Sequence, residues 1–449
     1  MIGLLAMVAW PDSWRSIAYS ILLTAWVAFE FHRWRLRSVS MYGLVLFWLV
    51  LTYVLEPIGS GYMDETLHDS AVPLAVFLFV GAISLGYATE LPRRIAATWK
   101  ADPRPWEPES VQHATLALAI LAIGLWGLFL ALAHTSPVEM LYHSLEVRVR
   151  VEQELPDARW IRDFAIWFSW APFFVELTQA LAKPPRPTSW FRLGTEFCVL
   201  EAWMLLLGQR WVFFAPAVVT VLLLADAGKL KLTALRVVAA GLAGTALSFV
   251  LVMYRTRSLI GAVDWKELFS AVSDLGATQA VQQGLRVTSS RMDKLGTILH
   301  GVPSSLPFAW GDSYIGVVML FVPRRFVPWK PMYTDDAIQA ALFPGFDGVG
   351  LAFGGIAEAY YNFGWLGIVA IGLLSGMLIR LCDQLLSRDG ANPVLRIWFS
   401  QAGFLLPVMI VGGWFGVTAI QFVFYSLLSW VVTSTLTAGK SLAVARIPA

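Results

Sequence analysis

Glu358 enters a long apolar stretch in the run GGIAEAYYNFGWLG, flanked by Tyr360, Tyr361 and Asn362. A carboxyl in an apolar, aromatic setting has its charged form disfavoured, which suits it to accept a proton near neutral pH unless a cation pairs with it first. A structural ion pair with an arginine is the competing reading, and the residues alone leave the two balanced. Arg210, in LLLGQRWVFF, sits where one apolar run ends and the next begins. There a guanidinium either snorkels to water or grips phosphate oxygens in pairs, and at a bilayer edge the odds between these are even.

More cations follow between residues 254 and 353. Arg291 and Lys294 are three apart and share a helix face, whereas Arg286 and Arg291 are five apart and do not. Arg286 and Asp293 lie two helical turns apart and can screen each other. In VPRRFVPWKP, Arg324, Arg325 and Lys330 stand among three prolines and two aromatics. The prolines leave that segment little conformational entropy to lose on binding an anion, although a solvated charge cluster is the bland alternative.

Other acids carry less. Glu176, Glu196 and Glu201 fall inside apolar runs, where an ionised side chain costs about 2.5–3.5 kcal/mol. Helix-to-helix hydrogen bonding is a commoner role for them than a proton path. Asp335 and Asp336 have no third ligand at informative spacing, so no metal is assigned. The alternating run LEVRVRVEQE from Leu145 reads as an extended strip with one polar face. No phosphate-binding loop, nucleophile elbow, zinc-protease or dinucleotide fingerprint occurs in a credible context, so no cofactor is expected.

The elements that must position these residues are helices in a bilayer. Of 449 residues, 57% are hydrophobic and 14% charged, against about 25% charged in soluble domains. The net charge of +2 offers nothing to nucleic acid. Cys198 and Cys382 both lie in or at the end of apolar runs, which argues against a disulfide framework. The first residues, MIGLLAMVAW, lack the charged start and the cleavage pattern of a removable signal, and are read as mature chain.

Apolar windows predict about eleven spans, near residues 16–31, 39–56, 70–91, 111–134, 161–183, 191–208, 211–227, 234–253, 354–381, 394–413 and 415–437. Basic residues gather in alternate loops, among them Arg33, Arg93, Lys183, Lys229, Arg388 and Lys440, which predicts the N-terminus outside and the C-terminus inside. The fold class is all-α: a polytopic transmembrane bundle, with residues 1–253 an N-terminal bundle, 254–353 one large external loop domain, and 354–449 the C-terminal spans. In that loop the first half has helical spacing at Val281, Leu285, Leu295 and Leu299, suiting helices that lie on the membrane or the bundle. The Pro- and Gly-rich second half predicts irregular backbone.

The run from Arg291 through VPRRFVPWKP to EAYYNFG, followed by a span, resembles the oligosaccharide repeat-unit polymerases of bacterial surface polysaccharides, the Wzy or O-antigen polymerase group. The elements map onto Pro323, Arg324, Lys330, Pro331, Glu358, Tyr360, Asn362, Phe363 and Gly364. A Gly-x-Arg element at an outer helix end, also similar to O-antigen ligases, maps onto Gly208 and Arg210. The motif-bearing part covers roughly residues 205–380.

The resemblance implies a GT-C-like bundle in the bacterial inner membrane, with its site facing the periplasm. It also implies a metal- and nucleotide-free glycosyltransferase acting on undecaprenyl-diphosphate-linked oligosaccharides among membrane lipids. Glu358, Arg210, Arg291 and Arg324 are the implied catalytic residues. Arg286, Arg325, Lys330, Tyr360, Tyr361 and Asn362 are the implied substrate contacts. A Wzz-like chain-length regulator is a candidate partner, and nucleic acid is not. The nearest alternatives are an O-antigen ligase, separated only by its acceptor, and a flippase or exporter of the same lipid-linked glycans. A flippase would place cations near the midplane of the spans rather than gather them in one loop.

Overall fold

In the computed structural model the residues described are 12–34, 40–55, 70–98, 108–142, 147, 150–151, 156–181, 190–206, 210–231, 291–319, 334–343, 353–388 and 405–412. They are mostly helical and contain no strand. In chain order the helices are α1 (Asp12–Arg33), α2 (Met41–Val50), α3 (Ala71–Ala88), α4 (Leu91–Thr98), α5 (Pro108–Leu132), α6 (Pro137–Tyr142), α7 (Pro156–Ala180), α8 (Trp190–Leu206), α9 (Arg210–Asp226), α10 (Arg291–Gly301), α11 (Asp312–Val318), α12 (Thr334–Leu342) and α13 (Gly355–Arg388). Wider π-type turns follow α2 at Leu51–Leu55 and occur at Val408–Gly412. Helices overlap the expected spans from residue 16 to residue 227 and again from 354 to 381. The predicted spans at 234–253 and 415–437 lie outside the described residues, as does most of 394–413.

Three stretches among the described residues are long and apolar enough to cross a membrane: Ala71–Ala88, Thr115–Leu132 and Gly355–Leu385. Their surroundings differ. α3 is apolar all round and buried along most of its length, with Val72, Phe79, Val80 and Ile83 inaccessible or nearly so. α5 is equally apolar but presents Leu116, Ile120, Ile123 and Leu128 outward. An outward apolar face on a helix of spanning length fits contact with lipid rather than with protein.

The chain forms two compact units that interleave along the sequence. One comprises Met1–Lys100, Leu285–Arg388 and Ala402–Phe424; the other comprises Ala101–Gly284, Asp389–Gln401 and Tyr425–Ala449. In the first, α13 packs along α3, flanked by α2, α4 and α10. Small residues make this approach close. A Cβ on Gly86 would meet the Leu373 carbonyl, and one on Gly376 would meet the Ile83 carbonyl. One on Gly372 would come within 2.7 Å of Ala82 Cβ. Small residues on facing helices are the usual means of close backbone approach between spans.

One end of this packing is closed by a polar network. Asp383 accepts from the Met41 and Tyr42 amides at 2.7 and 3.2 Å, so its two carboxylate oxygens cap the start of α2. Tyr87 donates to the same carboxylate at 2.9 Å and stacks on Tyr42 with ring centroids 4.0 Å apart. Glu30, buried near the end of α1, accepts from Tyr42 at 3.0 Å and Trp34 at 2.9 Å, while Ser84 lies 2.9 Å from the Tyr42 hydroxyl. The Arg380 guanidinium lies over the Trp34 and Tyr87 rings, 5.2 and 4.8 Å from their centroids. This network joins α1, α2, α3 and α13.

In the second unit α7 packs along α5 and meets α8 and α9. Arg192 on α8 pairs with Glu176 on α7 and, at 3.4 Å, with Glu196 on its own helix. Of the three acids in apolar runs, Glu176 thus takes part in helix-to-helix pairing and Glu196 in a pair within α8. Glu201 does not join them: it is buried, and among the described residues neither carboxylate oxygen has a hydrogen-bond partner.

Two local expectations are corrected. Val147, Arg150 and Val151 are helical, so the strip read from LEVRVRVEQE is not extended where it is described. Alternation places Val147 and Val151 four apart, a spacing that also fits one helix face, and both are buried. In the loop, α11 and α12 lie inside the Pro- and Gly-rich half read as irregular. The prolines fall outside these two short helices rather than within them, so they bound helices instead of preventing them. Over Arg291–Gly301, the part of the first half that is described, α10 is helical and lies on the bundle. Met292, Leu295, Ile298 and Leu299 are buried, and the helix packs on α13 and α3. Val281 and Leu285 lie outside the described residues.

Candidate functional site

The site is built where α13 breaks. Phe363 (φ −139°, ψ 18°) and Gly364 (φ 62°, ψ −147°) are non-helical, so Gly355–Asn362 forms a short arm before the long helix. Gly364 supplies the left-handed conformation that a side chain would oppose. The break lets the arm lie against the helix that follows it: a Cβ on Gly367 would collide with the Ala359 carbonyl.

A helix that stops leaves carbonyls without partners. Here they are taken up by the segment after α10. The Ala309 amide donates to the Tyr361 carbonyl and the Trp310 amide to the Asn362 carbonyl, each at 3.0 Å. Asn362 is fully buried. Its Oδ1 accepts from the Gly311 amide at 3.1 Å, and its Nδ2 donates to Ser313 Oγ at 2.6 Å and to the Glu358 carbonyl at 2.8 Å. One amide side chain therefore ties the arm to the loop and to the start of α11. The Tyr360 hydroxyl donates towards the Val302 carbonyl at 3.3 Å, anchoring the end of α10 to the same arm.

Glu358 lies on the arm, one turn before Asn362, and is 5% exposed. Its neighbours along the chain, Ile356, Ala357 and Ala359, are buried and apolar. The Tyr314 hydroxyl is buried. Its burial first, and then the negative charge of Glu358, push that phenol well above its ordinary range. Tyr314 is therefore held as a protonated hydroxyl.

Aromatic rings collar the break. Tyr314 stacks on Phe363 at 6.2 Å, Phe308 meets Tyr360 at 6.1 Å and Trp310 at 5.8 Å, and Tyr360 meets Trp365 at 5.5 Å. The arrangement offers a carboxyl shielded from water, a buried phenol whose ionisation that carboxyl opposes, and rings around the break between them and the long helix. Such a set can hold and transfer a proton in a site where water is excluded.

Of the residues predicted from sequence, Glu358, Tyr360, Tyr361 and Asn362 are brought together on this arm. Arg291 opens α10, the helix anchored to it, and belongs to the same unit; its side chain lies outside the described residues. Arg210 opens α9 in the other unit, and its side chain likewise lies outside the described residues. Arg286, Arg324, Arg325 and Lys330 lie outside them altogether. Tyr314, Ser313 and Trp310 were missed. The sequence signal for them, AWGDSY, is a turn followed by a helix start, and nothing in it pairs that turn with residues some fifty positions later.

Among the described residues no group of His, Cys, Asp and Glu is placed to hold a metal ion. No protein-family model, curated protein or solved structure matches the chain.

Proposed function

We propose that the chain is a polymerase of surface polysaccharide, joining undecaprenyl-diphosphate-linked oligosaccharide repeat units at the external face of the bacterial plasma membrane. The observation that carries this reading is the arm Glu358–Asn362. The carboxyl that the family resemblance marks is shielded by apolar residues, is carried on an arm that Asn362 ties to the loop before α11, and stands beside a break in a helix of spanning length.

The chemistry follows from those groups. Glu358 accepts the proton of an acceptor sugar hydroxyl as that oxygen bonds to the anomeric carbon of the donor. The bond from that carbon to the diphosphate oxygen breaks, and its electron pair leaves with undecaprenyl diphosphate. Arg210, Arg291 and Arg324 stabilise the charge that builds on the diphosphate, with Arg286, Arg325 and Lys330 contacting the glycan-diphosphate. Tyr360, Tyr361 and Asn362 orient the arm around Glu358. The diphosphate bond supplies the driving force, so the reaction requires neither nucleotide nor metal. A chain-length regulator in the same membrane is the partner this role calls for.

Removing the protein from its host and identifying the lipid-linked glycans that accumulate tests the reading. Single repeat units on the outer leaflet are expected. Long unattached chains would indicate a ligase instead, and material held on the inner leaflet a flippase. In a host that depends on the protein, Arg210→Ala is expected to reduce long-chain polymer and shorten its modal length. Unchanged output would remove Arg210 from the anion site.

A further inference from the structure

Ala309–Asp312 is a tight turn closed by the Asp312 amide donating to the Ala309 carbonyl at 2.9 Å. Both central residues have positive φ, Trp310 at 49° and Gly311 at 93°. Mirror-image turns of this kind favour Asn, Asp or Gly at the first central position, because a bulky side chain opposes left-handed backbone. Gly311 suits its place; Trp310 does not. The other described non-glycine residue at positive φ, His134 at 46°, simply ends α5, a place where one left-handed residue is common.

The strain at Trp310 is not offset by burial, since the side chain is 73% exposed. Nor does the turn need an indole to form. Its amides at 309, 310 and 311 are all held by Tyr361 and Asn362, contacts that Asn or Gly at 310 would make with less strain. What the arrangement achieves is display: a large flat ring on a rigid turn, with Phe308 edge-on behind it at 5.8 Å and the exposed Asp312 carboxylate two residues away. Strain that persists without a packing reason points to function. An anchor at the membrane interface would explain the exposure alone, because partitioning works from ordinary backbone. Trp190, 53% exposed in the first turn of α8, is displayed from ordinary helical backbone.

We infer that the Trp310 indole is a stacking platform for a pyranose ring of the glycan, with Asp312 accepting from ring hydroxyls. The apolar C–H face of a sugar ring matches the flat face of an indole. Asn362 connects this platform to the arm that bears Glu358, through the Trp310 amide at 3.0 Å and the Glu358 carbonyl at 2.8 Å. The inference rests on the reading of the chain as one that acts on lipid-linked glycans.

The test uses the full chain in lipid nanodiscs. The probe is the lipid-free repeat-unit oligosaccharide released from the host's own surface polysaccharide, with affinity measured by calorimetry and turnover measured on the lipid-linked units. Trp310→Asn is expected to leave the unfolding temperature unchanged or raised while weakening oligosaccharide binding about tenfold, the size of one lost ring contact. Trp310→Phe is expected to retain most of the affinity and Trp310→Leu to lose it, a contrast that stands even if the Asn variant folds poorly. Equal affinity for Phe and Leu variants would overturn the platform. So would unchanged binding together with a loss of stability seen only in nanodiscs and not in detergent, which would mark Trp310 as a membrane anchor. Wild-type turnover with Asn-variant binding unaltered would sink this inference alone and leave the polymerase reading standing. A wild type that neither binds the oligosaccharide nor turns over lipid-linked units would sink both.

Discussion

Asn362 has both of its side-chain polar atoms bonded to the chain itself, and its place on the arm makes it a positioning residue for Glu358. Asn362→Leu removes the acceptor of the Gly311 amide and the donor to Ser313 and the Glu358 carbonyl. Leaving such buried groups unpaired costs about 1–3 kcal/mol each. The expected outcome is a clear fall in unfolding temperature and loss of turnover together. Glu358→Gln should behave differently, abolishing turnover of purified protein while keeping the unfolding temperature near wild type. Full turnover by that variant would remove the carboxyl from proton transfer.

Far from the arm, Glu139 offers a pH test. Thr135 Oγ1 donates to its carboxylate at 2.9 Å and Arg150 pairs with it at 3.3 Å; the Thr135 bond first, then the arginine, holds the carboxyl below its ordinary value. A carboxyl whose folded value is depressed contributes stability above its unfolded value, about 4.3 for glutamate, and loses that contribution as pH falls through the folded one. Thr135→Val should therefore lower the unfolding temperature at neutral pH, with the difference shrinking in acid. These acids show how far residue types carry. EAYYNFG announced a carboxyl in an aromatic setting. That Asn362 faces Ser313, in the first turn of α11, depends on a long-range pairing, which no local spacing encodes.

At the scale of elements, the close approach of α3 and α13 positions everything else, because the arm is the beginning of α13. Gly376→Leu would drive a side chain into the backbone at Ile83, and such overpacking costs about 1–3 kcal/mol or more. The expected result is loss of thermal stability and of cross-linking between cysteines introduced at exposed positions on α3 and α13. Normal cross-linking would show that the two helices accept a side chain at this position without separating. Apolar periodicity and length made these helices legible, since each apolar run that is described became a helix. The break at Phe363–Gly364 was not legible. A glycine inside an apolar run is tolerated in an unbroken helix, and it is the waiting amides of Ala309, Trp310 and Gly311 that take up the groups the interruption frees. Asp383 was equally hidden. It follows Arg380 by three residues and reads as an ordinary helical ion pair, whereas it caps α2, far earlier in the chain.

For the whole molecule, the account holds that one chain both excludes water from a carboxyl and presents cations to a lipid-linked diphosphate. The arm and its loop supply the first part within one unit. Under the proposed function the second part falls to Arg291 at the start of α10, to the other cations between residues 254 and 353, and to Arg210 at the start of α9. The most direct measurement is to incubate the purified full chain in nanodiscs with undecaprenyl-diphosphate-linked repeat units alone, without nucleotide, metal or any other protein. The account predicts a ladder of lengthening lipid-linked oligosaccharides and release of undecaprenyl diphosphate, both lost in Glu358→Gln. Repeat units that remain single under these conditions, with the protein folded, would contradict it.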